Sequence, residues 1–176
     1  MPLLKSNVIV PDTWLHAEAD GELPKASDVI VPFARLLKEW GELSRREGRL
    51  GVRFGNTDRP EALATFLPDL AVIVLPFPAF NDGRAYSIAR KLREMGYAGE
   101  LRATGNVLPD QLQFMLQVGF DAFEIGERFP LETWQKASRQ MSLAYQRGLY
   151  RRGAEAEIWT ERHTDAEPWL EQPHAG

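Results

Sequence analysis

Three polar clusters carry the residue types that could do chemistry, and each follows an apolar or alternating segment. They are Asn81, Asp82, Gly83 and Arg84; Thr104, Gly105 and Asn106 with Asp110 and Gln111; and Glu124 with Glu127 and Arg128. Arg84 could present a bidentate donor to a phosphate, sulfite or carboxylate, with Gly83 letting the backbone come close. Asp82 argues the other way. Its carboxylate can accept from the free N–H groups of a first helical turn and suits the positive helix end, and its charge would repel an incoming anion. Capping is therefore favoured over anion binding at this stretch.

Arg102 could pair across a sheet with Glu124 or reach a ligand, and the pairing is the favoured of the two. The turn "ATGN" would expose Asn106. Tyr86 could bring a hydroxyl to the same edge, although an aromatic in a first helical turn usually packs. Glu124 with Glu127 could do acid–base work, but helix-start and surface roles are commoner for such pairs. The candidate ligand-binding set is thus Asp82, Gly83, Arg84, Arg102, Gly105, Asn106, Gln111 and Glu124, with no residue assigned a catalytic role.

Other chemistries lack their residues. The histidines, His16, His163 and His174, fall in an N-terminal loop and a polar tail without the spacing of a helical zinc motif, so no metal site is expected. There is no GxGxxG, GxxxxGK[ST] or GxSxG, so no cofactor motif is evident and a flavin would have no motif behind it. The absence of cysteine removes disulfides, thiol nucleophiles and thiolate-bound clusters, in keeping with the cytoplasm. A net charge of −4 argues against nucleic acid, whose phosphates need clustered positive charge. The most apolar run, "LAVIVLPFPAF", is too short to cross a bilayer, and "MPLLKSNVIVPD" lacks the apolar core of a signal peptide.

The elements that must position these clusters follow from periodicity. "SDVIVP" gives a strand and Phe33, Leu36, Leu37, Trp40 and Leu43 a helical stripe; "LGVRF" alternates as a strand, and "RPEALATFL" predicts a helix with proline in its first turn. "LAVIVLPF" is apolar on both faces, as a central parallel strand should be, and leads to a helix with the stripe Ala85, Ile88, Ala89, Leu92 and Met95 that Gly96 ends. "ELRAT", a helix with Leu112, Met115 and Leu116, the strand "DAFEI", and a longer helix with Leu131, Trp134, Met141 and Tyr145 complete the set.

These make about five βα units, an α/β fold with a mainly parallel sheet, either open and doubly wound or an incomplete barrel. Residues 1–150 read as one domain, with 1–26 an N-terminal strand or hairpin plus a loop. Residues 151–176 form a polar tail in which Trp159 and Trp169 stand among many charges. Arg53, Arg102 and Glu124 are expected on one sheet face, opposite Leu101, Ala103, Phe123 and Ile125. Such a charged face must pair internally, meet water, or be covered by another subunit, a second copy of the chain included.

From residue 77 to 125 the sequence "FPAFNDGRAYSIARKLREMGYAGELRATGNVLPDQLQFMLQVGFDAFEI" resembles the bacterial domain-of-unknown-function family 934. The resemblance rests on Asp82, Gly83, Arg84, Tyr86, Ser87, Gly96, Tyr97, Gly99 to Ala103, Gly105, Asp110, Gln111 and Gly119 to Asp121, and it extends upstream to "DVIVPFARLL" and "LGVRF". Family members commonly carry aspartate where this chain has Asn106. The resemblance implies a place beside the sulfite reductase hemoprotein in assimilatory sulfite reduction, and carries over no catalytic residue. A chain without cysteine cannot hold the thiolate-ligated cofactors of the reductase itself. The expected role is therefore an accessory or electron-transfer adaptor acting with that hemoprotein. The alternative is a small α/β enzyme or anion-binding module in which Arg84 and Arg102 hold an oxyanion or phosphorylated ligand.

Overall fold

A computed structural model describes residues 2–139. The tail from 151 to 176, with His163, His174, Trp159 and Trp169, lies outside the described residues, as do Met141 and Tyr145. In chain order the strands are β1 (Leu3–Lys5), β2 (Val8–Val10), β3 (Leu15–His16), β4 (Val29–Pro32), β5 (Leu50–Arg53), β6 (Leu70–Phe77), β7 (Glu100–Gly105) and β8 (Ala122–Glu124). The helices are α1 (Phe33–Leu43), α2 (Arg84–Glu94), α3 (Leu112–Val118) and α4 (Leu131–Arg139).

The sheet order is β2-β1-β8-β7-β6-β5-β4-β3. From β3 to β8 every neighbouring pair is parallel and consecutive in the chain, while β1 pairs antiparallel with both β2 and β8. Consecutive parallel strands joined by right-handed crossovers put all the helices on one side. The packing agrees: Leu36 of α1, Ile88 and Leu92 of α2, Met115 of α3 and Trp134 of α4 share one buried cluster with Val31, Val52, Ile73, Leu75, Leu101 and Phe123 of the strands. A doubly wound sheet needs a reversal of strand order and helices on both faces, so that alternative falls.

The sheet also curls. Between β8 and β3 lie five strand intervals, about 24 Å in a flat sheet at ~4.8 Å each. Yet Glu124 Oε1 on β8 and His16 Nε2 on β3 are 3.7 Å apart. Only a half-barrel brings them together, and among the described residues β2 and β3 are its edges.

Two further differences from the periodicity reading have local causes. The stretch after β5 is not an α-helix but two short 3-10 turns, Pro60–Leu63 and Leu67–Asp69, and Pro68, without an N–H, bars one helix from running through both. There are also more strands than five βα units supply. β1 and β2 form the expected N-terminal hairpin, but β3, two residues in the expected loop, adds itself beside β4. Of the predicted stripe of α2, Ala85, Ile88, Ala89 and Leu92 are buried, while Met95 is the half-buried C-cap just past the helix; Gly96 follows at φ +89°, where a left-handed residue ends the helix.

Candidate functional site

Alternation within a strand sends successive side chains to opposite faces, so β7 gives Leu101 and Ala103 to the helices and Glu100, Arg102 and Thr104 to the other side. Glu124 of β8 joins them, because Ala103 is in register with Phe123. On this face, which carries no helix among the described residues, the chain between β2 and β3 lies across the sheet. Trp14 packs on Ile30, Val72 and Val74, with the Arg49 guanidinium 5.0 Å from its ring. The expected charged face therefore exists, and an N-terminal segment of the same chain covers it.

Arg102 sits at its centre, 1% exposed, among three carboxylates. It donates to Asp12 Oδ2 at 2.8 Å and Glu100 Oε1 at 3.0 Å, and its Nη1 is 3.5 Å from Glu124 Oε1. Burying a guanidinium without such partners would cost several kcal/mol. Thr104 Oγ1 donates to Glu124 Oε2 at 2.6 Å, whereas Oε1 of the same carboxylate is buried and accepts no hydrogen bond. His16 Nε2 lies 3.6 Å from Asp12 Oδ2, and its Nδ1 is 3.3 Å from Arg53 Nη2. Lys5 completes the group with a 2.8 Å bond to Glu100 Oε2.

The other candidate residues form a separate group at the carboxyl ends of β6 and β7. Asp82 accepts from the Arg84 backbone N–H at 3.2 Å and from its guanidinium at 2.9 and 2.7 Å, with Asn56 Nδ2 at 3.3 Å. That pairing holds the Asp82 carboxyl well below the usual carboxylate range and raises Arg84. The two loops are tied together: Asn106 donates from Nδ2 to the Pro78 carbonyl at 2.6 Å, and Gln111 Nε2 to that of Phe80 at 2.6 Å. Gly105 permits this, since at φ +93° an added Cβ would stand 2.6 Å from the Phe77 carbonyl oxygen.

Tyr86 packs edge-on against Phe77 and beside Phe114, and its burial raises its phenol pKa. The first helical turn thus uses its aromatic ring for packing. Phe80 and Phe114 are more than half exposed, leaving an aromatic surface around this rim.

Residues 51–154 match the family described as "Bacterial protein of unknown function (DUF934)". The chain belongs to that family. No curated protein matches it. The DUF934 match runs from β5 into the chain beyond α4, so Arg102, Thr104, Glu124 and both rim loops fall inside it, while Asp12 and His16 fall outside.

The sequence reading named Arg102 and Glu124 but not Asp12, Glu100, Thr104 or His16 as their company. A search for metal motifs by spacing passes over His16, whose partner Glu124 is distant in the chain. The available signal was "DTWLH": a tryptophan flanked by an acid and an imidazole suits a segment that must lie on a surface both apolar and charged.

Proposed function

We propose that the protein is a non-catalytic accessory subunit of assimilatory sulfite reduction, an adaptor that docks on the sulfite reductase hemoprotein in the cytoplasm. The pathway comes from the family resemblance. What favours an adaptor over an oxyanion-binding enzyme is the state of the two arginines that such an enzyme would need. Arg84 forks onto Asp82, and Arg102 is enclosed by Asp12, Glu100 and Glu124. An anion would have to displace a carboxylate from each and then sit beside it, at a Coulombic cost that grows with burial.

Docking, by contrast, needs surface. Phe80 and Phe114 offer exposed aromatic area on the rim where the two tied loops meet, and aromatic residues of this kind commonly anchor interfaces. The test mixes the purified chain with the hemoprotein and an electron donor, and follows co-sedimentation, sulfite turnover and the visible spectrum. The adaptor reading expects co-sedimentation, altered turnover, and weakening of both by Phe80→Ser with Phe114→Ser. A bound flavin would add electron transfer to the role. Absence of any association would overturn it, as would thermal stabilisation by sulfite, sulfate or phosphorylated compounds that Arg84→Ala abolishes.

A further inference from the structure

We propose that Asp12, His16 and Glu124 form a site for one divalent transition-metal ion of the zinc class, held between the N-terminal segment and the helix-free face. One donor atom from each lies within 4.8 Å of the other two. Two of the edges are defined more closely: His16 Nε2 is 3.6 Å from Asp12 Oδ2 and 3.7 Å from Glu124 Oε1. An ion about 2.1 Å from each ligand sets tetrahedral ligand separations of about 3.4 Å, so a contraction of a few tenths of an ångström closes these edges.

A second observation points to a ligand independently of the clustering. Glu124 Oε1 is buried on a side chain only 10% exposed, faces His16, and accepts no hydrogen bond. Its sister oxygen is fixed by Thr104, an outer partner of the kind that orients a ligating carboxylate. Asp12 is oriented through Oδ1, which accepts from the Trp14 N–H at 3.2 Å, while its Oδ2, the oxygen facing His16, also accepts from Arg102 and would share that bond with the ion.

The charges have to be counted on every side. Arg102 Nη1 stands 2.8 Å from Asp12 and 3.5 Å from Glu124, but Glu100, 3.0 Å from the same guanidinium, offsets its charge. Lys5 is held on the far oxygen of Glu100. Counted together, the three carboxylates against Arg102 and Lys5 leave one net negative charge for the ion.

Arg53 opposes binding. A guanidinium only donates, so where Arg53 Nη2 meets Nδ1 that nitrogen accepts and Nε2 carries the proton. Metal at Nε2 moves the proton to Nδ1 and turns the exposed Arg53 side chain away. The donor set selects the ion class. One imidazole and two carboxylates suit borderline ions such as Zn²⁺ or Co²⁺, are too few oxygens for Ca²⁺, and lack the thiolates that soft ions prefer. Three protein ligands leave a position for water or substrate.

The experiment titrates the full chain, stripped with a chelator, with Zn²⁺ by calorimetry and with Co²⁺ by visible absorption. A single equivalent should bind. His16→Ala and Glu124→Gln, each checked for native circular dichroism, should weaken it about tenfold or more. Arg53→Gln should tighten it several-fold, an effect that a merely structural role for the cluster does not produce. His163→Ala with His174→Ala should leave it unchanged. The proposal is overturned by the absence of binding, by wild-type affinity in folded His16→Ala or Glu124→Gln, by loss of the site in the tail variant, or by weaker binding in Arg53→Gln.

Discussion

Leu101 and Arg102 are consecutive residues of one strand, both fully buried, and they belong to different environments. On the helix side Leu101 meets an apolar cluster shared by four helices, where burial is favourable wherever shapes fit. On the helix-free side Arg102 is buried only because carboxylates from Asp12, Glu100 and Glu124 surround it. The first face tolerates loss of a contact in proportion to the cavity left. The second is an interdependent network, in which deleting one member strands the others.

The sharpest way to break this comparison is Arg102→Ala, which leaves three carboxylates facing one another and should cost about 4 kcal/mol in urea denaturation. Leu101→Ala, one residue away, should cost about 3 kcal/mol through its cavity. Equal small losses at both sites would mean that the charged face is wet rather than enclosed. Gly105→Ala should cost about 2 kcal/mol, from a left-handed backbone and a Cβ too close to the Phe77 carbonyl. A neutral result there would show that the rim loops are not tied as described.

Two pH profiles sharpen it further. Tyr97, in the helix-side cluster, has its phenol pKa raised by burial. A raised folded pKa favours the protonated form, so its contribution is complete below about pH 10 and is lost as pH rises beyond it. Tyr97→Phe should flatten that alkaline decline. Asp82, on the exposed rim, has its pKa lowered by Arg84. Its contribution is therefore present above about pH 4 and lost as pH falls below, and Asp82→Asn should flatten the acid limb by the smaller amount an exposed pair allows.

Much of the helix side was legible because burial writes itself as period. The stripes of α2 and α3 and the two-faced apolar run of β6 name their elements without reference to partners. The charged face was legible in part for the same reason, since alternation put Arg53, Arg102 and Glu124 on one side. Its cover was not. The distance from Asp12 to Arg102 depends on the sheet curling, and curl is a sum of small twists over six strands that no local pattern records. β3 is too short to show a period at all. On the rim, Gly83 is the N-cap of α2 and Asp82, one residue earlier, reaches the Arg84 N–H, but nothing local says that Arg84 spends its guanidinium on the same aspartate.

The antiparallel pairing of β1 with β8 sets Leu3 opposite Glu124. On the ribosome the amino end emerges first, yet its neighbour in the sheet is among the last strands to be made. Until then Leu3 and Leu4 have no strand of the parallel sheet to pair with. The surfaces that receive the N-terminal segment, β4 and β6 beneath Trp14 and β8 beside β1, all come after it in the chain, so its docking is long-range in sequence throughout.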